Sequence, residues 1–175
     1  MIIAETSRLL LREMTIADAE SAYLLNVDPE VIQYTGDKAF SSIEEAKQFL
    51  ANYSHYKKYG YGRWAMIIKE TDEFLGWCGL KYIEEVDKYD LGYRLMKKYW
   101  NKGYATEAAI KSLELGFHRF DMESIVGHAD IHNLASIRVL EKIGMTYQSN
   151  YFEEERECVA YKIDGEEYKK LKIKN

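Results

Sequence analysis

Trp100-Asn101-Lys102-Gly103-Tyr104-Ala105-Thr106-Glu107-Ala108 follows an apolar, strand-like run from Leu91 to Met96 and opens an amphipathic helical pattern. A loop with glycine at its centre that feeds a helix N-terminus is a ready anion site. The first backbone N–H groups of a helix lack internal partners, and the helix dipole favours negative charge there. Gly103 lets the backbone come close to a ligand. Between Leu91 and Thr106 stand the cations Arg94, Lys97, Lys98 and Lys102 and no carboxylate, against a net charge of −5 for the chain. The segment reads as a phosphate-binding turn, with a plain strand-to-helix connection as the alternative.

The pattern on either side is mixed α/β. Arg8 to Glu13 reads as a strand. Thr15 N-caps a helix to about Asn26, and Ser41-Ser42 with Glu44 and Glu45 starts another that runs to about Tyr59 and stops at Gly60. Three strands follow, Trp64–Lys69, Phe74–Ile83 and Tyr89–Met96, with Thr71-Asp72-Glu73 as the first turn. Beyond the glycine loop, a helix from about Ala105 to Phe120 presents Ala109, Ile110, Leu113, Phe117 and Phe120 as its apolar face. Ser124–Ile131 reads as a strand, and a helical crossover makes it parallel to Tyr89–Met96. A helix Ala135–Ile143 ends at Gly144, and strands near Met145–Phe152 and Glu157–Ile163 complete a mixed sheet flanked by helices.

At 175 residues and 47% hydrophobic content, residues 1–175 are expected to form a single domain. No apolar run approaches the roughly 18 residues of a membrane span, and Met1-Ile2-Ile3-Ala4-Glu5 does not read as a secretory leader. Cys78 and Cys158, isolated in apolar surroundings, suggest buried thiols in a reducing, cytoplasmic setting, with no zinc or other metal site. The acidic balance argues against nucleic-acid binding. Fifteen tyrosines beside a single proline, Pro29, read as a bias of composition because the tyrosines are scattered.

The strand, the Trp100–Ala108 loop, the helix, the next strand and then His132-Asn133-Leu134-Ala135-Ser136-Ile137-Arg138-Val139-Leu140-Glu141-Lys142-Ile143-Gly144-Met145 together resemble the GNAT superfamily of acyl-CoA-dependent N-acetyltransferases. Thr6-Ser7-Arg8-Leu9-Leu10-Leu11-Arg12 and Asp28-Pro29-Glu30-Val31 resemble its ribosomal-protein N-terminal acetyltransferase branch. The resemblance covers nearly the whole chain. It implies a mostly antiparallel α/β (α+β) sheet with one central parallel strand pair splayed apart and helices on both faces.

The resemblance also implies acetyl-CoA as donor. Tyr93, Arg94 and Leu95 match the strand whose backbone pairs with the pantetheine arm, as in strand addition. Trp100, Asn101, Lys102, Gly103, Tyr104, Ala105 and Thr106 match the pyrophosphate loop; Trp100 replaces the family's usual Arg or Gln, at little cost to a main-chain grip. Asn133 matches a cofactor-contacting asparagine and Ser136 a serine near the sulfur. The Leu95 N–H matches the group that polarises the thioester carbonyl. The family's frequent tyrosine four residues after Ser136 is Leu140 here, so that acid is absent.

Transfer to an amine needs a proton acceptor, a polarised carbonyl and a protonated or stabilised thiolate. Ser136 is the candidate for the thiolate, with helix capping as its structural alternative. Asp90, His128, Asp130 and a water relay stay open as the general base. Asp90, Gly92 and Arg94 share one strand face, as do His128 and Asp130. Glu107 reads as a structural first-turn carboxylate, Cys78 as a packed thiol, and Arg138 and Lys142 as a solvated helix face.

The implied function is acetyl transfer to a primary amine, which protein N-termini, polyamines, aminoglycosides and other small amines would all satisfy. Helices between Thr15 and Tyr59 and the late strands are expected to build the acceptor pocket, with Gln33, Tyr34, Tyr151 and Phe152 as walls. A non-catalytic acyl-CoA-binding module is the rival. A phosphate-loop hydrolase is disfavoured because no Gly-x4-Gly-Lys-Ser/Thr occurs. Monomer and homodimer both remain open.

Overall fold

The computed structural model describes residues 1–173. Eight strands form one sheet in the order β1-β2-β3-β4-β5-β6-β8-β7. They are β1 (Ile2–Glu5), β2 (Leu9–Glu13), β3 (Arg63–Ile68), β4 (Phe74–Ile83), β5 (Lys88–Leu95), β6 (Ser124–Asp130), β7 (Thr146–Glu153) and β8 (Arg156–Asp164). Every neighbouring pair is antiparallel except β5–β6, which is parallel as its helical crossover requires. The helices are α1 (Ala19–Val27), α2 (Pro29–Ile32), α3 (Ile43–Ala51), α4 (His55–Tyr59), α5 (Tyr104–His118), α6 (Leu134–Lys142) and α7 (Gly165–Ile173).

The decisive feature is where the sheet opens. β5 pairs with β6 only at Tyr89↔Ile125, Asp90↔Val126 and Leu91↔Gly127. Beyond that point β5 stays on β4 as far as Leu95↔Gly76, and β6 stays on β8 as far as Asp130↔Cys158. Each strand follows its outer neighbour, so the central pair splays apart.

A bulge on β4 shapes the same place. The β3–β4 register shifts between Met66 and Ile67. Gly76 has φ 147°, and a Cβ there would lie 2.0 Å from the Arg94 carbonyl oxygen and 2.8 Å from the Leu95 Cα. Only glycine lets β4 lie this close to the end of β5.

The two sheet faces are covered unequally. Leu91, Leu95, Cys78, Leu80, Trp64 and Ile125 join α5 residues Ala108, Ala109 and Leu113 in the main core. Ile110 lies off that face, 47% exposed, while Ser112 turns inward and meets the Cys78 sulfur at 3.4 Å. On the opposite face α1 and α3 contribute a small cluster of Ala19, Ala22 and Leu50. The sheet presents Arg63, Trp77, Gly92 and Arg94 to that side, and the gap between layers is left partly open.

The elements differ from the sequence expectation in two ways. β1, α2 and α7 are additional, short or weakly patterned segments. The single helix expected from Ser42 to Tyr59 breaks after Ala51 and resumes at His55. The break lets two tyrosine hydroxyls reach the start of β3: the Arg63 N–H donates to Tyr53 Oη (2.8 Å) and Tyr56 Oη donates to the Arg63 carbonyl. Tyrosines scattered in sequence thus gather in space, as the ring contacts Tyr53–Tyr56, Tyr59–Tyr82 and Tyr82–Tyr89 show. Cys78 and Cys158 are buried thiols, as expected. Among the described residues no helix is long and apolar enough to cross a membrane, and no cluster of three or more His, Cys, Asp or Glu side chains is placed to hold a metal ion.

Candidate active site

The glycine loop runs from the end of β5 to α5. Asn101 (φ 59°) and Gly103 (φ 80°) both take left-handed conformations, which turns successive backbone groups toward the outside of the loop. The first helix bond runs from the Glu107 N–H to the Gly103 carbonyl (3.0 Å), so the N–H groups of Tyr104, Ala105 and Thr106 lie ahead of it at the open helix end. Asn101, Lys102 and Gly103 are exposed.

The basic character seen in sequence disperses in space. Lys97 pairs with Glu30 and Lys98 with Glu73. Arg94 turns to the opposite sheet face, where it donates to Asn26 Oδ1 (2.7 Å) and meets Asp37 (2.5 Å). Lys102 remains at the loop, its ammonium 5.6 Å from the Tyr99 ring centroid. What the loop offers an anion is therefore main-chain donors, with one lysine beside them.

Glu107 braces this loop. It accepts from Thr6 Oγ1 (2.6 Å), the Arg8 N–H (2.8 Å) and Arg8 Nε (2.7 Å), while Arg8 Nη1 donates to the Lys102 carbonyl (2.9 Å). Burial pushes the Glu107 carboxyl up, but the Thr6 and Arg8 bonds outweigh it and hold the group below its ordinary range. Glu107 is thus structural, as expected. Its partners, roughly a hundred residues away in sequence, were invisible there.

At the gap, the Met96 N–H donates to the Leu75 carbonyl on the β4 side (2.9 Å). Backbone groups alternate along a strand, so Leu95 and Tyr93 present theirs to the open side. The Leu95 carbonyl there accepts from Trp100 Nε1 (2.9 Å), which ties the loop to the strand end. Trp100 has therefore a positional use that the family's usual Arg or Gln did not suggest.

The gap is bridged on the α6 side by side chains. Tyr93 Oη donates to the Ser136 carbonyl (2.9 Å) and lies 3.0 Å from Ser136 Oγ. Asn133 caps α6, its Oδ1 accepting the Ser136 N–H (3.1 Å). Burial pushes the Tyr93 hydroxyl well above its ordinary pKa, so it stays protonated. A tyrosine hydroxyl thus reaches Ser136 from β5, where the sequence showed only that Leu140 carries none. The alternation of β5 puts Tyr93 on the α6 face, but only the packing of α6 shows what it meets.

On the other face of the gap, Asp90 and His128 come together. His128 Nδ1 lies 3.0 Å from Asp90 Oδ1, and Arg63 Nη2 pairs with Asp90 Oδ2. Burial opposes the charged form of Asp90, yet Arg63 and His128 hold its carboxyl below the usual range. Asp90 is 13% exposed and His128 31%. Tyr151 packs edge-on against the imidazole, ring centroids 5.5 Å apart. Asp130 is buried and accepts the His132 N–H (2.9 Å), a local turn contact. Arg63 escaped the sequence reading; its signal was an arginine opening the otherwise apolar run Arg63-Trp64-Ala65-Met66-Ile67-Ile68.

Arg63 and Arg94 also line a cavity of about 320 Å³ between the sheet and α1, α3 and the loop at 37–40. The first helices do contribute its walls, but β3, β4 and β5 supply its floor, where the late strands were expected. Gln33, Tyr34, Tyr151 and Phe152 lie outside it, Phe152 being 71% exposed. Arg138 and Lys142 are exposed on α6.

Comparison with known proteins agrees with this fold. The profile of the Acetyltransferase (GNAT) domain matches residues 8–146. The uncharacterized N-acetyltransferase p20 of Bacillus licheniformis is 31% identical over 140 residues, 79% of this chain and 79% of that protein. A GNAT-family acetyltransferase structure from Bacillus anthracis superposes with a TM-score of 0.81 at 28% identity, covering 95% of this chain and 99% of that one. Spermidine N-acetyltransferase from Vibrio cholerae, in complex with CoA and spermine, shares the fold with a TM-score of 0.79 at 18% identity, covering 93% and 98%.

Proposed function

The chain belongs to the GNAT acetyltransferase family and is an acetyl-CoA-dependent N-acetyltransferase, and on that footing we propose that it passes the acetyl group directly to a primary amine, inside a ternary complex, at the gap between β5 and β6. The observation that carries this reading is that gap. It opens at Leu91/Gly127, has a free strand edge on one side, and lies between the glycine loop's strand end and the Asp90–His128 pair.

The residues fit acetyl-CoA. The open helix end at Tyr104–Thr106 suits a pyrophosphate, the Tyr93–Leu95 edge suits an extended amide chain, and Ser136 with Tyr93 stands where the sulfur would lie. The donor supplies a thioester carbonyl and a thiol leaving group. The Leu95 N–H polarises that carbonyl. With a carboxylate beside Nδ1, His128 carries its proton there and keeps the Nε2 lone pair free to take a proton from the attacking amine. Asp90 fixes the tautomer, and Arg63 fixes Asp90. The nitrogen–carbon bond forms as the carbon–sulfur bond breaks, and the Tyr93–Ser136 hydroxyl pair delivers a proton to the departing sulfur. In this reading Asp90 positions the base, and His128 is the base.

The test is release of CoA thiol from acetyl-CoA in the presence of a panel of primary amines. Amine-dependent release above background hydrolysis is expected. Its absence across the whole panel would leave the non-catalytic acyl-CoA module.

Tyr93→Phe is expected to lower kcat by on the order of 10²-fold with little change in the KM for acetyl-CoA, because a proton donor is lost while the backbone edge is intact. Ser136→Ala should lower turnover more than donor affinity, and by less than Tyr93→Phe. Steady-state kinetics on both variants decides it: an unchanged kcat for Tyr93→Phe returns that hydroxyl to packing.

A further inference from the structure

The cavity beside the gap carries information about the acceptor. Its volume of about 320 Å³ is at the lower end for small-molecule sites, so it suits a body no larger than a single ring and a short arm. Its walls include Phe40, Phe49, Tyr53 and Trp77. Phe40 and Phe49 lie 5.7 Å apart and Phe49 and Tyr53 6.2 Å, so these rings form a continuous wall.

The charge around it is unfavourable to a polycation. Among the residues that line the cavity, Lys38, Arg63 and Arg94 are cationic and Asp37 is the one carboxylate. Asp37 is already bonded to Arg94, and Arg63 to Asp90. An aromatic face attracts a cation, but the Trp77 ring already carries two. The Arg63 guanidinium carbon is 5.4 Å from its centroid and that of Arg94 5.3 Å. A second or third ammonium of a polyamine would lose its water here and meet like charge. An apolar or aromatic body would instead bury against the Phe40–Phe49–Tyr53 wall at no electrostatic cost.

We infer that the acceptor is a small monoamine with a single aromatic ring or a comparable apolar body, seated in this cavity, and not a polyamine. This rests on the transfer reading above, since Arg63 both lines the cavity and pairs with Asp90, so the cavity adjoins the Asp90–His128 pair. The fold shared with spermidine N-acetyltransferase does not bring that acceptor with it, because the discriminating residues are side chains of the cavity.

The experiment compares 2-phenylethylamine with spermidine in two measurements on the full chain. The first is kcat/KM with acetyl-CoA, read by thiol release. The second is calorimetric binding to the CoA-saturated protein. Phenylethylamine is expected to exceed spermidine by at least about tenfold in kcat/KM. Phe49→Asp, at a half-exposed wall position, is expected to raise the phenylethylamine KM about tenfold while the thermal shift with acetyl-CoA is unchanged. Equal or better use of spermidine, or an unaltered KM in Phe49→Asp, overturns the inference. Failure of phenylethylamine to bind overturns it as well, including the case in which only a peptide amine is accepted. Binding of phenylethylamine to the CoA-loaded protein without any turnover sustains the acceptor class and overturns the transfer mechanism instead.

Discussion

His128→Gln is expected to lower kcat by about 10²- to 10⁴-fold, the range for loss of a general base, with the acetyl-CoA KM changed by less than about twofold. The reason is geometric. Asp90 Oδ1 sits 3.0 Å from Nδ1, so the other ring nitrogen, across the ring from that contact, is the one the proposed mechanism assigns to the amine. Glutamine is close to the imidazole in reach and can still bond Asp90, so the buried Asp90–Arg63 pair keeps its partners. Asp90→Asn is the poorer test of chemistry. It leaves the Arg63 guanidinium, 14% exposed, facing a neutral group. Breaking such a buried pair costs about 3–5 kcal/mol of stability. That loss would obscure a kinetic effect, whereas His128 is 31% exposed and its replacement is mild for the fold. An unchanged kcat in His128→Gln would remove the imidazole from the chemistry and leave a water relay as the proton acceptor.

Gly103→Glu is expected to abolish the thermal stabilisation that acetyl-CoA confers. Donor at a hundred times its Kd stabilises the native state by about 2.7 kcal/mol. In a domain of this size that corresponds to a rise in Tm of roughly 5–11 °C. Two effects act in the variant, the first on the donor-induced shift and the second on the unliganded protein. A carboxylate at position 103 repels a pyrophosphate at the helix N-terminus, and a side chain there must adopt φ 80°, a conformation that costs an L-residue about 1–2 kcal/mol. Gly103→Ala separates the two. The nearest heavy atom to an added Cβ is Arg8 Nη2 at 3.4 Å, so there is room, and only the backbone cost applies. Its unliganded Tm should fall while most of the acetyl-CoA shift survives. A full shift in Gly103→Glu would show that the loop does not hold the donor's phosphates.

How much of this was legible beforehand depended on distance along the chain. The glycine loop, its strand and its helix are local, and their order in sequence is their order in space. Asn133 and Ser136 are three apart and share one helix start, so their placement also follows from sequence. Periodicity put Asp90 with Arg94 and His128 with Asp130, yet whether the two pairs met across β5 and β6 depended on register. Arg63 was missed because its partners, Asp90 and Trp77, lie on other strands. The helix break at Asn52–Ser54 was missed because its cause, the bonding of Tyr53 and Tyr56 to β3, is also non-local.

By itself the sequence determined the fold class and the donor, and it singled out the loop proposed to hold the donor's phosphates. These rest on backbone chemistry at a glycine turn and a helix end, which short-range residue order dictates. Only the tertiary structure decided which charges remain at that loop, where the sheet opens, that Tyr93 reaches Ser136, and what lines the acceptor cavity. Those are relations between side chains brought together by strand register and helix docking, and no spacing along the chain encodes them. The loop carries four cations in sequence, yet Lys97 and Lys98 are paired elsewhere and Arg94 faces the opposite side of the sheet. The proposed phosphate grip is therefore a property of the backbone, and the proposed acceptor cavity is built by residues that share only a surface.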